Sequence, residues 1–227
     1  MIHMKKHAWV ISLAALLAVL LALTKIIQPG FGASGIESLA RAALPFGFAT
    51  AGMAVVIIAG GIDLSVASMI AVCAVTTAVL MERMAGVPAL IIVLLAGAAM
   101  GAINGALIIL TKVPDIVVTL AMLFVWEGVA LLILSSPGGA TANWLEGAIR
   151  GSFIFSWLPK AFLIIAIVSA LLWGPLQRTK MGLSIYAIGS DELAAFRSGI
   201  SIGRTKVAAY AICGLFCAFG GLSLAAL

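Results

Sequence analysis

Two carboxylates lie inside the apolar stretches of this chain. Asp63 stands in VVIIAGGIDLSVASMI, residues 55–70, and is the one charge between 43 and 81; Glu127 stands in LFVWEGVALLI, residues 123–133. An ionised carboxylate at the centre of a bilayer costs about 2.5–3.5 kcal/mol on insertion scales, so each is expected to face protein or water rather than lipid. Ser65, two residues after Asp63, and Asn104 offer a hydroxyl and an amide that can hydrogen-bond a polar solute. Asp63, Ser65, Asn104 and Glu127 are therefore candidates for lining a solute pathway. Each also has a plain structural role. Gly60-Gly61 breaks a helix, and Asp63 can cap the next one by accepting from its first backbone N–H groups. Asn104 can hydrogen-bond between helices. Glu127 can pair with a basic residue near a membrane face, or face the bundle interior or a vestibule.

Other chemistries have little to stand on. The two histidines, His3 and His7, lie in the N-terminal tail, so no nucleophile–base pair forms in the apolar segments. Cys73, Cys213 and Cys217 are an odd set without metal-ligand or disulfide spacing, and fit as small packing residues. No G-x-x-x-x-G-K-[ST] phosphate loop occurs, so ATP is not bound by this chain through that motif. No metal or cofactor is implied.

The elements that must position these residues are membrane helices. Hydrophobic residues make up 64% of the 227 and charged residues 9%, against about 25% charge in a soluble domain. Seven apolar segments are expected to span, at roughly 8–27, 43–60, 63–81, 88–110, 115–135, 161–177 and 207–227. Proline, glycine or charge bounds each of them: Pro29-Gly30, Pro45, Glu82-Arg83 with Pro88, Lys112 with Pro114, Pro137-Gly138-Gly139, Pro159-Lys160, and Pro175 with Arg178. A lipid-facing backbone must satisfy its own polar groups, which leaves helices for runs of this length. The first segment follows Lys5 and Lys6 in the manner of a signal peptide. It is longer than a cleavable core and no clear cleavage site follows, so it is expected to remain as a span. The fold expected is all-α: a polytopic transmembrane bundle of about seven spans in one domain, 1–227.

Basic residues orient it. With the N-terminus inside, Lys5, Lys6, Lys112, Arg178, Lys180, Arg197, Arg204 and Lys206 are cytoplasmic, while Lys25, Arg41, Arg83, Arg150 and Lys160 are outside. The net charge of +5 follows this membrane pattern and is not a nucleic-acid signature. The loop 136–160, with Trp144 and Trp157, falls outside. Gly97, Gly101 and Gly105 form overlapping G-x-x-x-G steps for close helix packing, and Cys213, Cys217 and Gly221 repeat that spacing.

The segment 179–206 is different in kind. Ser190 can cap a short helix over 191–198, with Asp191 and Glu192 in its first turn and Gly199 closing it. Such a helix presents Phe196, flanked by Arg197 and Ser198, at a cytoplasmic surface, where a protein partner is its simplest use.

At these segments the chain resembles the ribose/xylose-type sugar ABC transporter permeases of bacteria. The matching blocks are AGGIDLSVASMIA, NGALIILTKVPDIVVTLAML and TKMGLSIYAIGSDELAAFRSGISIGRTKVAAYAICGLFCAFGGL, in order, over about 43–224. The resemblance implies an inner-membrane permease subunit of a binding-protein-dependent importer. It implies a second permease, cytoplasmic ATP-binding subunits that hydrolyse the ATP, a periplasmic solute-binding protein and a monosaccharide or similar solute. Residues 191–200 fall where the family's ATPase-coupling loop lies. The family's permeases continue through further spans, so the chain is expected to be a truncated product or fragment. Glu127 stands where many members carry a basic or neutral residue. Two other readings are an ion-coupled secondary transporter, with Asp63 and Glu127 as coupling carboxylates, and a non-functional permease fragment.

Overall fold

The computed structural model describes residues 2–84, 86–134, 141–152 and 158–227. These residues form ten helices in the order α1 (Ile2–Ile27), α2 (Ala33–Ile58), α3 (Val66–Arg83), α4 (Gly86–Thr111), α5 (Asp115–Ile133), α6 (Asn143–Ile149), α7 (Lys160–Leu176), α8 (Lys180–Ser190), α9 (Glu192–Arg197) and α10 (Ile202–Ala225). Six are long and apolar enough to cross a membrane: α1, α2, α3, α4, α5 and α10. α7 has 17 residues, about 26 Å of helix. It turns by 86° into α8, so the pair can count as a seventh, broken span.

α10 is the centre of the bundle. It packs on α4, α2 and α3. Its Tyr210, Cys213, Phe216 and Cys217 are fully or almost fully buried. The hydrophobic effect cannot drive helices together inside lipid, so close backbone approach must hold them. The α4–α10 seam has that character. A Cβ on Gly97 would meet the Gly214 carbonyl oxygen at 2.5 Å, one on Gly101 would collide with the Tyr210 carbonyl, and one on Gly105 would meet Val207 Cα at 2.8 Å. Gly214 answers from α10 against Gly97, and Gly221 lies against Cys73 of α3. α1 stands off the bundle, with its side chains from Ala8 onward almost all exposed.

Several boundaries differ from the sequence reading. α2 begins at Ala33, ten residues before the apolar run, and passes through Pro45. Its first turns hold Glu37 and Arg41, an i,i+4 pair at 3.8 Å, and the Gly151 N–H donates to Glu37 at 2.7 Å. These charges extend the helix beyond the apolar run. α10 begins at Ile202, so Arg204 and Lys206 belong to its first turns. α6 and α8 were not expected. α8 starts where the Thr179 hydroxyl accepts from the Gly182 N–H at 3.2 Å, and it buries Gly182, Ile185 and Ile188 at helical spacing. The Pro137-Gly138-Gly139 break and Trp157 lie outside the described residues.

Candidate functional site

The site begins at the break between α2 and α3. α2 stops because Gly60 takes φ +82°, a conformation open to glycine. The Gly60 N–H then donates to Ile57 O and the Gly61 N–H to Val56 O, each at 2.9 Å. These are the paired bonds of a Schellman ending. Gly61 has no room for a side chain: a Cβ there would lie 2.7 Å from both Asp115 Oδ2 and the Tyr210 hydroxyl. Beyond it the loop alternates, with Gly61, Asp63 and Ser65 buried and Ile62 and Leu64 exposed.

Asp63 does not cap α3. The N-cap residue is Ser65, and its side chain makes no cap bond. Asp63 Oδ1 instead accepts from the Ser65 N–H at 2.9 Å and the Ser65 hydroxyl at 2.6 Å. The carboxylate lies too early in the chain to reach the N–H groups of the first helical turn, so it closes an Asx turn at the entrance to the helix. The Ser65 hydroxyl also accepts from Asn104 Nδ2 at 2.7 Å. Asn104 Oδ1 accepts from the Trp126 indole N–H at 3.1 Å. An indole nitrogen only donates, which fixes the amide's orientation and the direction of the chain. Every donor points one way, from Trp126 of α5 through Asn104 of α4 and Ser65 to the carboxylate. Asp63, Ser65 and Asn104 are fully buried, and Asp63 Oδ2 has no hydrogen-bond partner among the described residues.

A second set of bonds holds the same loop from α5 and α10. Thr119 Oγ1 accepts from the Leu64 N–H at 3.1 Å and donates to Asp115 O at 2.8 Å. The Tyr210 hydroxyl donates to Asp115 Oδ2 at 2.8 Å and lies 3.3 Å from Ile62 O. α8 closes the junction from the side, where Gly189 packs on the Ile58 carbonyl, with Gly60 against it. Five helices besides α3 thus meet on six loop residues. A cavity of about 640 Å³ runs along α2 and α3, with Asp63 on its wall among Pro45, Phe46, Met53 and Ile70.

Glu127 does not join this group. It is exposed on the surface of α5, while its neighbour Trp126 points inward. Of the placements open to it, the bundle interior is not the one found: consecutive residues on a helix project about 100° apart, and packing selected the indole. Among the described residues Glu127 makes no ion pair. The residues that sequence reasoning missed are Asp115, Thr119, Trp126 and Tyr210. The available signals were Asp115 directly after Pro114, and Tyr210 as one of two tyrosines, set in an apolar run.

The second feature is α9, at the same end of the bundle. Its N-cap is Asp191, whose Oδ1 accepts from the Ala194 N–H at 2.9 Å. Ser190, expected in that role, is the last residue of α8. The helix ends at Gly199, φ +81°. There the Gly199 N–H donates to Phe196 O at 3.0 Å and the Ile200 N–H to Ala195 O at 3.1 Å, a second Schellman ending. Ala195 is buried beneath, while Phe196 is 65% and Leu193 58% exposed. Arg197 and Ser198 are exposed beside them.

A family described as "Branched-chain amino acid transport system / permease component" matches residues 35–227, which include both features. The chain belongs to this permease family. It is similar to the autoinducer 2 import system permease protein LsrD of Escherichia coli K12, of Escherichia coli O157:H7 and of Shigella flexneri. Each is 34% identical over 240 residues, covering 96% of this chain and 68% of the relative. No solved structure matches the chain. The permease is a multi-pass membrane protein of a transport family, not a member of a catalytic one. Its family match starts within α2 and omits α1, the helix that stands off the bundle.

Proposed function

We propose that this permease is the membrane-spanning subunit of an ABC importer of the bacterial inner membrane, moving a monosaccharide or similar small polar solute. Its partners in this reading are a cytoplasmic ATP-binding subunit, a second permease subunit and a periplasmic solute-binding protein. α9 is the part that docks into the ATP-binding subunit, through Phe196, with Arg197, Ser198 and Asp191 at the rim. The N-terminus and the end carrying α8 and α9 are cytoplasmic, since Lys112, Arg178, Lys180, Arg197, Arg204 and Lys206 gather there. The junction around Asp63, Ser65 and Asn104 fixes the pathway helices at that same end.

The observation that carries the reading is α9 itself. A helix of 6 residues, capped at both ends, holds a large aromatic side chain out of the bundle. Isolated short helices are marginal, so both caps and the exposed ring need a purpose. Ion-coupled secondary transport is weaker, because Asp63 is buried and Glu127 lies on an outer surface. The test is uptake by proteoliposomes containing the complete transporter with its binding protein. Uptake is expected to require ATP and to continue when ion gradients are collapsed; uptake driven by a gradient without ATP refutes the assignment.

A further inference from the structure

Glu192 was grouped by sequence with the residues that would meet the ATP-binding subunit. The structure gives its carboxylate another partner. Glu192 Oε2 lies 3.0 Å from Lys206 Nζ of α10. The Lys206 side chain is 15% exposed and that of Glu192 53%. This pair spans the turn 198–201 and ties the first residue of α9 to the base of the central helix.

α9 has a second connection. Asp191, its N-cap, directly follows α8. The penultimate residue of α8, Gly189, packs without space for a Cβ on the Ile58 carbonyl at the end of α2. One path therefore runs from α9 through Lys206 into α10, where Tyr210 lies one helical turn further and holds Asp115 at 2.8 Å. The other runs through Gly189 to the Gly60 turn. Both end on the loop that carries Asp63. A helix that only needed to bind a partner would not need an internal ion pair on its first residue.

We propose that Glu192 and Lys206 are positioning residues. They form a strut that holds α9 in fixed register with α10, so that movement of a docked ATP-binding subunit is delivered to the 60–65 junction. This rests on the docking role proposed for α9. It removes Glu192 from the docking surface, leaving Phe196 as the anchor.

The experiment compares wild type, Glu192→Gln, Lys206→Gln, Lys206→Arg and the charge-exchanged Glu192→Lys/Lys206→Glu permease, each in the assembled transporter. Three readouts are taken: affinity for the ATP-binding subunit, solute-stimulated ATP hydrolysis, and amide hydrogen exchange over α9 in the permease alone. A half-exposed ion pair predicts a rise of about two- to fivefold in α9 exchange when either charge is removed. Affinity is expected to stay within about twofold of wild type, while stimulation falls by about fivefold or more. Lys206→Arg and the charge exchange restore both exchange and stimulation. The strut is refuted if the neutral variants exchange and hydrolyse like wild type. It is also refuted if the charge exchange is no better than the single variants. Loss of affinity in Glu192→Gln with unchanged exchange makes Glu192 a docking contact, which overturns the strut and keeps the docking role. A wild-type permease that binds no ATP-binding subunit removes the docking role and the strut's function with it.

Discussion

The donor chain that ends on Asp63 predicts an energetic coupling between two helices. Asn104 takes the Trp126 indole proton at 3.1 Å and gives its own to Ser65 at 2.7 Å. Asn104→Leu keeps the volume but leaves the indole N–H without an acceptor and Ser65 without its donor. An orphaned buried donor costs about 1–3 kcal/mol. The Ser65 hydroxyl still donates to Asp63, so its share is smaller, and about 2 kcal/mol is expected in all. Trp126→Phe removes the indole donor and strands Asn104 Oδ1, which costs about 1 kcal/mol because Nδ2 keeps its bond. With both changes, nothing is stranded between α4 and α5. The double variant should lose about 2 kcal/mol rather than 3, a coupling of about 1 kcal/mol. That lies inside the range for hydrogen bonds between membrane helices, where cycles average about 0.6 and reach about 1.7 kcal/mol. Reversible unfolding of the four proteins in mixed micelles measures it. Additivity to within about 0.3 kcal/mol would refute the directed chain, since the indole must then find another partner.

Other outcomes follow from the same geometry. Gly101→Ala drives a Cβ into the Tyr210 carbonyl and should lower unfolding stability by about 1–3 kcal/mol, whereas Gly128→Ala, with nothing within 4 Å, should be neutral or stabilising by up to about 1 kcal/mol. Gly60→Ala places a side chain at φ +82° and should cost about 1–2 kcal/mol in the same assay, more than Gly30→Ala in the α1–α2 turn, where a Cβ meets open space. Phe196→Ala should weaken association with the ATP-binding subunit by about 2 kcal/mol or more in co-purification titrations, and Arg197→Ala by about 1 kcal/mol or less. Single cysteines placed in a Cys-free permease should react with an impermeant thiol reagent in intact cells at position 150 and stay protected at position 190; the reverse pattern inverts the topology.

Helices were legible in the sequence wherever hydropathy alone decides them. The runs that became α3, α4 and α5 begin and end within about three residues of their expected bounds. Legibility failed where charges or turn residues extend a helix past its apolar run. Glu37 and Arg41 lengthen α2 because Glu37 pairs with Arg41 one turn on and accepts from the Gly151 N–H, and no window of mean hydropathy registers that. α8 escaped because its apolar positions, Gly182, Ile185 and Ile188, are separated by exposed Leu183 and Tyr186, so a stripe and a loop look alike. Gly60 and Gly199, at the two Schellman endings, were readable because positive φ singles out glycine. The choice between Asp191 and Ser190 as N-cap was not, since both side chains can accept a bond and only the end of α8 decides.

Neighbours on one helix explain the rest. Trp126 and Glu127 are adjacent, and the sequence made the carboxylate the residue to watch. Burying Glu127 would need a donor for each oxygen, and α4 offers on that face one amide, Asn104, already committed to Ser65. The indole asks only for an acceptor, which Asn104 Oδ1 supplies at 3.1 Å. Turning α5 to bury Trp126 gives both the Asn104 carbonyl and the indole a partner, while turning it to bury Glu127 would set a further carboxylate toward Asp63, in addition to that of Asp115. Like charges at short range in a medium of low dielectric are costly. Tyr210 and Thr119 hold the loop through Asp115: each hydroxyl donates to an Asp115 oxygen, so the carboxylate that α5 brings against Gly61 is met by a donor from α10.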